Sequence, residues 1–151
     1  MMCTRFQGTL LDAPMVFKIF ERAAKYRIIA FVHTGGSNME PWRLARLVEA
    51  FPEITFINAH PGLTTPDFDH NLWLASKYEN IFLDSCQWPA YGFPYRKAIN
   101  AIGADRILFG DDIPYIDTSF DLIHTKLAEI SDEAKELILW KNAARIFNIP
   151  P

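Results

Sequence analysis

The chain has 151 residues, half of them hydrophobic and 22% charged, with 15 lysines and arginines against 18 aspartates and glutamates. That is the size of one domain burying roughly 70% of its unfolded surface, without the low hydrophobicity and high net charge of a disordered chain. A formal charge of −3, with no block of like charges, argues against nucleic acid and against a membrane surface as partners, and no stretch reaches the roughly 20 apolar residues of a membrane span. The start, Met1-Met2-Cys3-Thr4-Arg5-Phe6, lacks a long apolar core and predicts no signal peptide. Cys3 and Cys86 form neither a disulfide framework nor a C-x-x-C motif, which points to a reducing compartment.

In chain order, the segment from Pro14 to Tyr26 puts Val16, Phe17, Phe20, Ala23 and Ala24 on a helical stripe, with Asp12 available as its cap. The run Ile28-Ile29-Ala30-Phe31-Val32 predicts a strand. Pro41 to Phe51 predicts a helix with proline in its first turn. Ile54-Thr55-Phe56-Ile57 predicts a second strand, and Asp67 to Tyr78 a helix capped by Thr65-Pro66. Ile81-Phe82-Leu83 follows, then a helix from Tyr95 to Ile102 that stops at Gly103. Arg106-Ile107-Leu108-Phe109 is the last strand. Helices over Phe120 to Ile130 and Asp132 to Phe147 close the chain, the latter with Ser131 as cap and Asp132 and Glu133 at the positive end of its dipole. Short, continuous apolar runs suit strands buried on both faces. Their alternation with helices predicts right-handed βαβ units and a parallel sheet in one domain.

Ligands of parallel α/β folds bind at the carboxyl ends of the strands. The four runs end in Val32-His33-Thr34-Gly35-Gly36, Asn58-Ala59-His60-Pro61-Gly62, Leu83-Asp84-Ser85-Cys86 and Phe109-Gly110-Asp111-Asp112. Histidine and carboxylate are ligands for a divalent metal such as zinc. Each residue has a bland reading taken singly: a structural histidine, a turn-capping aspartate, a glycine turn. Together, at equivalent ends of successive strands, they are hard to obtain from turn chemistry. Other features carry less. His70 and His124 fall within helices and read as surface residues; Trp42, Trp73 and Trp140 read as packing. Ser37 and Ser85 have no recognisable triad, and Gly35-Gly36 is no dinucleotide fingerprint. Trp88, with Pro89, Tyr91 and Phe93, forms either an aromatic pocket wall or a packed loop.

These strand ends resemble the amidohydrolase-related metal-dependent hydrolases, the branch that includes lactone hydrolases and the aminocarboxymuconate-semialdehyde and resorcylate-type decarboxylases. Leu11-Asp12-Ala13-Pro14 leading to Phe31-Val32-His33-Thr34-Gly35 is similar to the fifth barrel strand, and Phe56-Ile57-Asn58-Ala59-His60-Pro61-Gly62 to the sixth. Ile81-Phe82-Leu83-Asp84-Ser85 resembles the seventh. The segment Gly103 to Pro114 resembles the eighth, and Asn142-Ala143-Ala144-Arg145-Ile146-Phe147 the closing helix. The resemblance implies an α/β fold, the C-terminal half (about strands 5–8) of a (β/α)8 barrel, in one domain over residues 1–151. It implies that His33 binds a divalent metal, zinc by expectation. Asp112 would bind the metal and accept the proton of the water it activates. His60 would be the catalytic histidine, or a second-metal ligand in binuclear members. Asp84 and Trp88 are the substrate-binding candidates. Asp111 stands where the family often has a small residue and adds charge beside the site. The implied reaction is hydrolysis of a small carboxylated substrate, with non-oxidative decarboxylation as the alternative, in a cytoplasmic protein.

A (β/α)8 barrel takes about 250 residues, and the family's H-x-H on its first strand is absent from this sequence. A half-barrel exposes two strand edges and one interior face. Three explanations follow: a piece of a longer protein; a barrel completed by a second copy or by a complementing N-terminal half; or a self-sufficient remnant without catalysis that binds a partner or nothing. With two or three protein ligands, the chain alone is expected to bind metal weakly and to turn over little.

Overall fold

The structure, a computed structural model, describes residues 8–35, 38–62, 65–89, 93–115 and 117–150. Cys3, Gly36, Ser37 and Tyr91, and the side chain of the expected cap Thr65, lie outside the described set. Helix α1 (Pro14–Ala24) leads into β1 (Ile29–His33), α2 (Pro41–Ala50), β2 (Thr55–Ala59), α3 (Thr65–Lys77), β3 (Ile81–Asp84) and α4 (Pro94–Ile102). A 3₁₀ turn (Ala104–Arg106) precedes β4 (Ile107–Leu108). Then come α5 (Thr118–Leu127), α6 (Asp132–Glu136), a π-helical turn (Leu137–Lys141) and α7 (Asn142–Phe147). The four strands form one parallel sheet in the order β1-β2-β3-β4. The fold is the parallel α/β arrangement expected from the alternating pattern, and it is consistent with the partial barrel that the resemblance implies. No helix among the described residues is long and apolar enough to cross a membrane.

Strand register divides the sheet into two faces. Ala30, Phe56 and Ile81 align across the strands, as do Val32, Asn58, Leu83 and Ile107. Apart from Asn58, these join Val16, Phe20, Leu44, Leu47, Leu72 and Ile138 in the main core. Phe20 stacks on Phe51 and Phe56 at centroid distances of 5.7 and 5.5 Å, which docks α1 onto α2 and β2. Phe31, Ile57 and Phe82 align on the opposite face. That face is not fully bare, contrary to expectation. Phe147 of α7 stacks on Phe31 with centroids 6.1 Å apart, and the Arg145 guanidinium sits 5.8 Å above the Phe82 ring. Phe31 still keeps 36% of its surface in solvent. β1 and β4 are the sheet's edges among the described residues.

Local signals behave unevenly. Pro41 and Pro94 occupy first turns, Gly103 ends α4 with φ 81°, and Ser131 accepts the Ala134 N–H. Asp12 does not cap α1; Ala13 holds that position without a side-chain bond. Asp12 instead accepts from Arg43 and Arg46 of α2. Burial raises its pKa, but the two guanidinium hydrogen bonds outweigh this and hold it below the ordinary carboxylate range. Trp42, Trp73 and Trp140, expected to pack, are at least half exposed. The last helix is not one continuous α-helix. Its π turn leaves the Ile138 carbonyl to accept the Phe109 N–H at 2.8 Å, so the helix braces the end of β4.

Asn142 fixes the other end of that strand. Fully buried, it donates Nδ2–H to the carbonyls of Ala104 (2.8 Å) and Ile107 (2.7 Å). Asn142→Leu keeps the volume and strands both carbonyls. It should cost about 2 kcal/mol, read as a lower urea midpoint at unchanged slope. An unchanged midpoint would mean that the two bonds contribute nothing net.

Candidate functional site

The carboxyl ends of β1 and β2 are locked by a buried polar chain. Thr34 Oγ1–H donates to Asn58 Oδ1 (2.7 Å), and Asn58 Nδ2–H donates to Asn71 Oδ1 (2.7 Å). Asn71 Nδ2–H donates in turn to the carbonyls of Pro61 (2.8 Å) and Asp67 (3.1 Å). All three side chains are essentially inaccessible, so each broken bond would leave an unpaired group in a low-dielectric interior. The chain positions the residues beside it. His33 ends β1, one residue before Thr34. His60 follows β2 with φ 55°, a left-handed conformation that turns its ring toward the sheet's end. Gly62 is required at φ 146°, because a Cβ there would run into the backbone of Asp67 and Phe68.

Three of the strand-end residues meet. The His33 and His60 rings lie 4.5 Å apart between centroids, tilted by 49°. His60 Nε2 is 3.5 Å from Asp112 Oδ1. On the other side of the ring, Cys86 Sγ is 3.6 Å from His60 Nδ1. Gln87 Nε2–H donates to Asp112 Oδ2 at 2.9 Å. Donor atoms of His60, Cys86 and Asp112 all lie within 4.8 Å of one another. Imidazole, carboxylate and thiol within that span fit a divalent cation, with the His33 ring alongside. Cys86 was not among the sequence-derived site residues. Its signal is the alternation of β3 carried two residues past Asp84, which a turn normally breaks.

Asp84 lies at the same edge but is only 8% exposed. Its carboxylate packs on Gly110, where any Cβ would overlap both oxygens, and Oδ1 accepts the Cys86 N–H at 2.7 Å. Trp88 is 2% exposed, wedged between Phe68 (5.2 Å, edge-on) and Tyr95 (4.9 Å), so the structure takes the packed-loop alternative. His124, expected on a helix surface, is half-buried; desolvation lowers its pKa, against the opposing pull of Asp121. His70 is exposed on α3, as expected.

Carboxylates dominate the electrostatics. Burial pushes the Asp84 carboxyl up to about 7, against the Cys86 N–H, with Asp121, Asp111 and Asp112 adding to the rise. Burial, then Asp84, Asp121, Asp112 and Asp111, drive the Cys86 thiol well above its ordinary range. Burial also raises Asp121, opposed by the Gln87 N–H. A cation between these groups would reverse the balance, which is a second sign that the donor set fits one.

The sign of the pH effect follows. Folded Asp84 keeps a proton that the unfolded chain loses near its ordinary value of 3.8. The folded state therefore binds more protons, and stability falls as pH rises from about 4 to about 7, by at most about 4 kcal/mol. Asp121 adds a slope of the same sign. Asp84→Asn should flatten most of the decline in urea midpoints measured across that range; an unchanged slope would assign it to other groups.

The chain matches an uncharacterised TIM-barrel protein from Bordetella bronchiseptica with a TM-score of 0.80 at 22% identity, over 93% of this chain and 52% of that one. It matches 2,6-dihydroxybenzoate decarboxylase from Rhizobium with a TM-score of 0.69 at 19% identity, over 93% and 57%. A dihydroxybenzoic acid decarboxylase from Polaromonas, solved with bound manganese and 2-nitroresorcinol, matches with a TM-score of 0.69 at 18% identity, over 93% and 55%. The chain thus spans little more than half the length of these structures, and the likeness is one of fold. No curated protein sequence matches it. The family model described as amidohydrolase matches residues 4–149, nearly the whole chain, and the chain belongs to that family.

Proposed function

We propose that this chain carries half of the active site of a metal-dependent lyase that removes carbon dioxide from a small hydroxylated aromatic acid. The observation that carries it is the convergence of His33, His60 and Asp112 at one edge of the parallel sheet. The similarity to the Rhizobium and Polaromonas decarboxylases supports decarboxylation as the reaction. Hydrolysis of a lactone or amide is the second reading. It is favoured by the family match and by Asp112, a partly exposed carboxylate beside an imidazole, which suits general-base work.

A divalent ion at His33 and Asp112 would supply Lewis acidity and hold the substrate's oxygens. Manganese, as in the Polaromonas protein, and zinc, as expected for the family, both suit these ligands. The residues of the chain supply the rest. His60 Nε2 lies 3.5 Å from Asp112 Oδ1, close enough for a proton to pass between them. In decarboxylation that proton goes to the ring carbon, and the electrons of the broken carbon–carbon bond return to the ring as carbon dioxide leaves. In hydrolysis the same pair takes a proton from water. Asp111 adds negative charge, which disfavours an anionic substrate unless a cation is bound.

The exposed interior residue Phe31 and the open edges of β1 and β4 support a complementing half-barrel, from the same polypeptide, a separate chain or a second copy. A small-molecule substrate and a cytoplasmic setting complete the proposal.

The test is manganese titration of the chain, with product analysis on 2,6-dihydroxybenzoate and on a lactone. Binding is expected to be weak and turnover low, because two or three ligands come from this chain. His33→Ala and Asp112→Asn should each weaken binding at least tenfold. Carbon dioxide supports the first reading and ring-opened acid the second. Metal binding unchanged in both variants would remove the site, and tight binding without either product would favour a half-barrel with no catalytic role.

A further inference from the structure

Asp112 sits four residues beyond β4, in a segment without regular structure. A carboxylate there has two torsions to choose from, and a reacting group needs one setting to within about half an ångström. Its Oδ2 accepts from Gln87 Nε2 at 2.9 Å, which turns Oδ1 toward His60. Gln87 is itself held in an unusual way. Its φ is 54°, a left-handed conformation that a residue with a Cβ adopts at a cost of about 1 kcal/mol or more. The N–H that this conformation directs inward donates to Asp121 Oδ1 at 3.1 Å.

Asp121 is fully buried on α5, and its Oδ2 has no hydrogen-bond partner among the described residues. A buried carboxylate with half its lone pairs unpaired is expensive in a helix whose fold alone would prefer an apolar residue. The helix is braced around it. Asp117 caps α5 through the Ser119 N–H, Thr125 Oγ1–H donates to the Asp121 carbonyl, and the Thr125 hydroxyl also pairs with Tyr95 of α4 at 2.6 Å. Strain at Gln87 and desolvation at Asp121 converge on one outcome, the orientation of Asp112.

We propose that Gln87 is a positioning residue that fixes the Asp112 carboxylate, with Asp121 as the buried anchor that fixes Gln87. This rests on the reading of Asp112 as a metal-binding and proton-carrying group. Gln87 acts through Asp112. With Oδ2 engaged, Oδ1, which can only accept, faces His60 Nε2, while the Cys86 sulfur faces Nδ1. His60 therefore holds its proton on Nε2 in the metal-free chain.

Two readouts on the full chain test this. The first is the His60 tautomer by nitrogen-15 NMR without metal. Wild type should show the Nε2–H form, and Gln87→Leu, similar in size without a donor, should lose that preference. The second is manganese affinity, which Gln87→Leu should weaken about tenfold while the urea midpoint stays close to wild type. Asp121→Asn keeps the acceptor and should behave as wild type in both readouts, whereas Asp121→Leu should copy Gln87→Leu if it folds. A wild-type His60 protonated on Nδ1, or a tautomer unchanged by Gln87→Leu, overturns the proposal whether or not manganese binds. If Asp112→Asn weakens manganese binding and Gln87→Leu does not, the positioning role fails and the metal site stands. If Asp112→Asn has no effect on measurable binding, the metal reading fails first.

Discussion

The hydrogen-bonded chain from Thr34 through Asn58 to Asn71 is the constraint on which the site depends. Asn58 stands on the core-facing side of β2, in line with Val32, Leu83 and Ile107, where every aligned neighbour is apolar. An amide there is tolerated because both ends of its side chain are paired, to β1 on one side and to α3 on the other. The consequence is directional. Residues of the core face are pinned, so His33, one step away in the strand period, is held on the opposite face, while His60, two residues past Asn58, leaves the period through its left-handed φ of 55°. An apolar residue at 58 could fill the same volume and would leave Thr34, Asn71 and the β2–α3 turn without a common reference.

Charge is the second constraint, and it works against the folded chain. Four aspartates, at 84, 111, 112 and 121, act on one another and on the Cys86 thiol. Nothing in packing requires this. Gly110 has to stay without a side chain to admit Asp84, and Asp121 is desolvated with one oxygen unpaired. Arrangements of this kind lower stability and survive where a site needs them. A bound cation is the simplest agent that would turn mutual repulsion into a ligand field. It would also lower the effective pKa of the thiol, which burial now keeps protonated.

Much of this is legible in the sequence. The strands read correctly because their apolar runs are continuous and short, and their ends followed from the rule that parallel strands present chemistry at their carboxyl termini. His33, His60 and Asp112 are therefore found together, as the resemblance implied. What escaped was long-range. Asp12 reads as a cap because it precedes a proline-led helix, yet Arg43 and Arg46, more than thirty residues away, offer it two charge-assisted bonds. Gln87 lies in a turn, where side-chain direction follows backbone torsion and no period reports it, and Cys86 is found only if the alternation of β3 is carried into that turn. Asp121 lies in a predicted helix and nothing in the sequence singles it out; contact between α5 and the β3–α4 loop at Gln87 accompanies its burial. The π turn near Ile138 is likewise set by the strand it braces.

The open sheet and the incomplete ligand set are one problem seen at two scales. His33 stands on the edge strand β1 and Asp112 follows the edge strand β4, with His60 between them. Any element that pairs with either edge would sit beside a residue proposed to bind metal, and one that covers the Phe31–Ile57–Phe82 face would close the site from below. The packing of Phe147 and Arg145 onto that face covers part of it with the chain's own last helix, at the cost of leaving Phe31 and Phe147 each more than a third exposed. If the chain binds metal as proposed, completion of the barrel and binding of the metal are linked equilibria. A partner that supplies ligands raises metal affinity, and by the same free energy the metal raises affinity for the partner. The weak metal binding expected of this chain alone is thus compatible with tight binding in the completed fold, and the size of that difference would measure how strongly the two halves of the site depend on each other.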